Sequence, residues 1–114
     1  MASIVKKSFD QPDEVQTPPN VKNIKMEAVT IDGIKVQRIT VQPGWKWSVD
    51  LKPIVKTDSC QMHHHLYILS GKLATQMTGG DVEEFGAGDV IDIPPGHNGW
   101  TIGNTPAVWL ELPH

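Results

Sequence analysis

The sequence is poor in the features that would place it in several large classes. It has a single cysteine, Cys60, so no intrachain disulfide can form, which fits a reducing compartment. No run approaches the roughly 18 consecutive apolar residues that a membrane helix needs. Basic residues are outnumbered: 10 Lys and Arg stand against 13 Asp and Glu, a formal net charge of −3. That balance supplies neither the phosphate neutralisation of a nucleic-acid surface nor the attraction of a polybasic membrane contact. Lys6 and Lys7 are followed by polar Asp10 to Glu14 rather than by an apolar run, so no leader peptide is expected. A helical period is missing too, since no window keeps apolar residues at 3.6-residue spacing over three turns. A cytoplasmic protein with neither nucleic acid nor membrane as partner is the expectation.

What the chain does have is turn chemistry. Ten glycines and nine prolines punctuate 114 residues at short intervals, in Gly33, Pro43-Gly44, Gly71, Gly79-Gly80, Gly86, Gly88, Pro94-Pro95-Gly96 and Gly103. Between them lie short runs of β-branched or alternating apolar residues: 34–41, 45–51, 66–69, 72–77, 90–93 and 107–112. Many short strands with Gly/Pro turns predict an all-β sandwich or barrel. The length suits one domain, and 39% hydrophobic with 20% charged residues is a globular composition. Residues 1–20, with Gln11-Pro12, Pro18-Pro19-Asn20 and few large apolar side chains, read as an extended N-terminal arm. Residues 21–114 are then the single barrel domain.

Two stretches carry a family resemblance. Gly88-Asp89-Val90-Ile91-Asp92-Ile93-Pro94-Pro95-Gly96, with Asn104 downstream, resembles the second motif of the cupin superfamily. His64-His65-Leu66-Tyr67-Ile68-Leu69-Ser70-Gly71 resembles the end of the first. Pro43-Gly44-Trp45-Lys46-Trp47 and His97-Asn98-Gly99-Trp100 also look like a subgroup of small single-domain bacterial cupins. The resemblance implies a double-stranded β-helix, or jelly-roll barrel, and a homodimer. It also implies a metal held by a His-x-His pair, a Glu and a later His. Counted back from Gly71, the His pair falls on Asp58 and Cys60 and the Glu on His64. Counted from Gly44, the His pair falls instead on Asp50 and Lys52, with 53–61 as an inserted loop. Counted forward from Gly96, the last His position is Gly99, and His97 comes two residues early.

Candidate metal ligands are therefore Asp58, Cys60, His64 and His97, a thiolate, imidazole and carboxylate set suited to a divalent transition metal: Zn, Fe, Ni, Mn or Cu. On a strand His64 points opposite to His63 and His65, so the triple histidine cannot give three ligands to one ion. If Leu66 and Ile68 face inward, so does His64. Four tryptophans are many for this length, and some of Trp45, Trp47, Trp100 and Trp109, with Tyr67, are candidates to line a pocket for a small apolar or ring-shaped ligand. Two functions compete: a small-molecule-binding barrel with a metal site, and a metal-dependent dioxygenase, isomerase or lyase.

Overall fold

Apolar alternation cut by glycine and proline makes strand the dominant regular structure; the computed structural model describes residues 2–113. In chain order the elements are β1 (Glu14–Val15), β2 (Ile24–Ile31), β3 (Ile34–Val41), α1 (Trp47–Asp50), α2 (Lys52–Val55), β4 (His64–Ser70) and β5 (Lys72–Met77). They continue with β6 (Val82–Gly86), β7 (Val90–Ile93), β8 (His97–Ile102) and β9 (Ala107–Glu111). A six-stranded antiparallel sheet has the order β1-β2-β3-β9-β4-β7, and a three-stranded one the order β6-β5-β8. This is the expected jelly-roll architecture.

Register decides which side chains meet inside. Met26 pairs with Ile39, Ile39 with Trp109 and Trp109 with Ile68; Gln37 and Leu66 both pair with Glu111, and His64 with Ile93. Directly opposed residues share a face, so these side chains line one inner surface. Ile39, Val41, Leu66, Ile68 and Trp109 from this sheet, with Leu73 from the smaller one, form the buried core. Gly71, between β4 and β5, is obligatory. It has φ +75°, and an added Cβ would stand 2.2 Å from the Pro106 carbonyl oxygen.

The strand expected over residues 45–51 does not form. The chain makes two helical turns there, because the Asp50 carboxylate accepts from the Lys46 N–H at 2.9 Å and Pro53 enters the first turn of α2. Lys56, at φ 59°, ends α2 in the left-handed region. Strands β1, β2, β6 and β8 were not among the expected runs: β2 alternates around the small Ala28, and β8 contains Asn98-Gly99, which reads as a turn.

The arm lies along the barrel. β1 pairs with β2, and Asp13 accepts from the Thr30 N–H at 2.8 Å. The Phe9 ring sits 5.0 Å from the Arg38 guanidinium, which in turn holds the buried Glu27 carboxylate at 2.9 Å. Met1 and His114, the outer ends of the two expected segments, lie outside the described residues.

Candidate metal centre

β4 turns His64, Leu66 and Ile68 inward, as period-two geometry requires. An isolated β-bridge joins Cys60 to His97, with Cys60 N–H donating to the His97 carbonyl at 2.7 Å. That bridge closes the loop after α2 onto the start of β8 and brings thiol and imidazole to the same wall. Cys60 Sγ lies 3.7 Å from His64 Nε2, and the His64 and His97 rings meet edge to face with centroids 5.1 Å apart. One ligand atom from each of Cys60, His64 and His97 falls within 4.8 Å of the others.

Both imidazoles are oriented from behind. His97 Nδ1 donates to the Pro94 carbonyl oxygen, which only accepts, at 2.7 Å, so Nε2 is the ring nitrogen left for a ligand role. His64 Nδ1 likewise donates to Glu111 Oε2 at 3.1 Å, and Glu111 Oε1 accepts from the Trp109 indole N–H at 3.0 Å. Histidines that ligate metals are usually held in this way through the other ring nitrogen.

The electrostatics follow from the same contacts. Burial alone would push the Cys60 thiol up, but hydrogen bonds from His64, His97 and the Met62 backbone bring it down to about 6. Burial would likewise push His64 down, yet its bonds to Cys60 and Glu111, with their negative charge, raise it to about 9. At neutral pH the pair is a thiolate facing an imidazolium.

These donors fit a metal ion. Tetrahedral bonds of 2.0–2.3 Å put neighbouring ligand atoms roughly 3.3–3.8 Å apart, and the Cys60–His64 pair already has that spacing. A four-coordinate ion held by these three would keep one position open, and all three residues line a cavity of about 460 Å³. Its other walls are mostly apolar, among them Met26, Ile39, Trp45, Trp47, Leu73 and Trp109. The Trp45 indole N–H is buried with no hydrogen-bond partner among the described residues.

The expected site residues divide. Cys60, His64 and His97 come together, and Trp45 and Trp47 line the cavity with them. Asp58 does not join: it lies exposed in the loop, outside the cluster. Asp50 and Lys52, the other placement of the His pair, lie on the helical turns and not among the cavity residues. Tyr67 is exposed on the outer face, because His64, Leu66 and Ile68 take the inner one. Trp100 also points away, since β8 buries His97, Gly99 and Thr101; its ring instead lies 5.2 Å from the Lys46 ammonium. Trp109 lines the cavity as well. Glu111 was missed; its signal was the inward alternation Ala107, Trp109, Glu111 along β9.

No protein-family model and no curated protein matches the sequence. Solved structures do match in three dimensions. The polyketide cyclase RemF from Streptomyces resistomycificus superposes with TM-score 0.66 at 19% identity, over 95% of this chain and 77% of that one. A cupin-like protein from Thermotoga maritima gives 0.58 at 16% identity, over 91% and 78%. Oxalate decarboxylase from Bacillus subtilis gives 0.55 at 24% identity, over 84% of this chain and 27% of that one. The chain has a cupin-type fold.

Proposed function

We propose that this chain is a small-molecule-binding cupin barrel with one divalent transition-metal ion held by Cys60, His64 and His97. The observation that carries the reading is the convergence of a thiolate and two rear-held imidazoles on the wall of an apolar cavity. Sulfur with two nitrogens favours a borderline ion, zinc foremost, with iron, nickel and copper next; oxygen-seeking manganese suits it least. The ligand is apolar and about ring-sized, and the unpaired Trp45 N–H favours one that carries an oxygen acceptor.

The open coordination position supports a second reading, a metal-dependent enzyme acting on a small organic substrate. Similarity to a polyketide cyclase and to a decarboxylase fits that reading at the level of fold alone. A bound metal would supply Lewis-acid chemistry at the cavity wall. Glu111 would hold His64 in its ligating orientation, and the apolar side chains would exclude water.

The test is the metal content of tag-free protein, wild type against Cys60→Ala and His64→Ala. Cobalt loading assigns the metal to the inner centre by its thiolate charge-transfer band. The expected result is one equivalent carrying that band in the wild type, lost together with the band in the two variants. Absence of the band after reconstitution would overturn the reading.

A further inference from the structure

The same histidine run builds a second cluster on the opposite face of the sheet. Because β4 turns His64 inward, His65 turns outward, and His63, just before β4, lies beside it. Cross-strand register sets Asp92 of β7 directly beside His65. His63 Nε2 lies 2.5 Å, and His65 Nε2 3.0 Å, from the same oxygen, Asp92 Oδ1. The two rings meet edge to face with centroids 4.9 Å apart. One ligand atom from each of the three residues falls within 4.8 Å of the others.

We propose that His63, His65 and Asp92 form a second divalent-metal site, on the outer face of the barrel and separate from the inner centre. The donors are two imidazoles and a carboxylate without sulfur, a set for zinc, nickel or copper. Geometry favours it because both imidazoles already aim a nitrogen at one carboxylate oxygen. The β4–β7 hydrogen bonds hold the backbone beneath His65 and Asp92, so little ordering remains to be done on binding. An ion would replace the protons that now join these groups. Its remaining positions face solvent, where water completes the coordination.

Cobalt titration of the tag-free chain separates the two sites, because only the inner one contains a thiolate. Wild type is expected to take up two equivalents, one with thiolate charge transfer and one with weak ligand-field bands alone. In His63→Ala/His65→Ala the second equivalent should bind about tenfold or more weakly while the charge-transfer equivalent persists. Cys60→Ala should show the reverse. Circular dichroism checks that each variant remains folded. The proposal is overturned if the double variant binds cobalt as the wild type does, or if Cys60→Ala binds none. An equivalent without charge transfer, lost only in the double variant, would support the outer site even where the inner one fails.

Discussion

The two faces of β4 put adjacent histidines to opposite uses. His64 looks inward among apolar walls, with a thiolate on one side and Glu111 on the other. His63 and His65 look outward to Asp92, whose side chain is 63% exposed. Inside, the low dielectric magnifies each contact, which is why Cys60 and His64 depart so far from their ordinary protonation. Outside, water and salt screen the same kind of contact. The comparison shows that residue type alone does not set a histidine's chemistry; the face of the strand decides what surrounds it.

The largest effect that would sharpen this contrast is that of pH. Between about 9 and about 6 the resting inner pair is thiolate and imidazolium, so metal entry displaces one proton from His64. Inner-site affinity should therefore fall about tenfold per pH unit on acidification, about a thousandfold across that window. Below pH about 6 Cys60 is protonated as well and the slope doubles. Chelator competition at several pH values, followed by the thiolate band, measures it. A flat profile would contradict the ion pair.

A smaller effect is expected from Glu111→Gln. Glutamine keeps the size of the side chain but removes the charge that holds His64 from behind. Inner affinity should drop about 10- to 100-fold, with the outer site unchanged. Equal losses at both sites would mean that the substitution disturbed the sheet rather than the ligand. The smallest effect belongs to Trp100→Phe. That ring lies outside the cavity, so any fluorescence change on ligand binding should keep its amplitude, whereas Trp45→Phe should reduce it.

Much of the architecture was legible because strand alternation and Gly/Pro turns are local signals. The inward placement of His64 followed from Leu66 and Ile68 by counting in twos. The same counting excludes Tyr67, and applied from His97 it excludes Trp100 once β8 is known to be a strand. Glu111 was harder to see, since its role depends on a register between β9 and β4 that no local pattern encodes. The helical turns after Gly44 escaped for a related reason: Trp45, Trp47, Val49 and Leu51 alternate like a strand, and only the cap at Asp50 and the bend at Pro53 override it. Gly99, where the family pattern would put a histidine, has the Trp45 ring against it instead: a Cβ there would sit 3.7 Å from Trp45 Cζ3.

β9 lies between β3 and β4 in the larger sheet, although it follows both in the chain. Until residues 107–111 arrive, β3 and β4 keep unpaired edges, the feature that invites association with other chains. Contacts so distant in sequence also slow folding. Glu111 and Trp109 come on that last strand, so His64 gains its rear support only when the sheet closes. The inner centre is thus complete, rear support included, only once the last strand has closed the sheet.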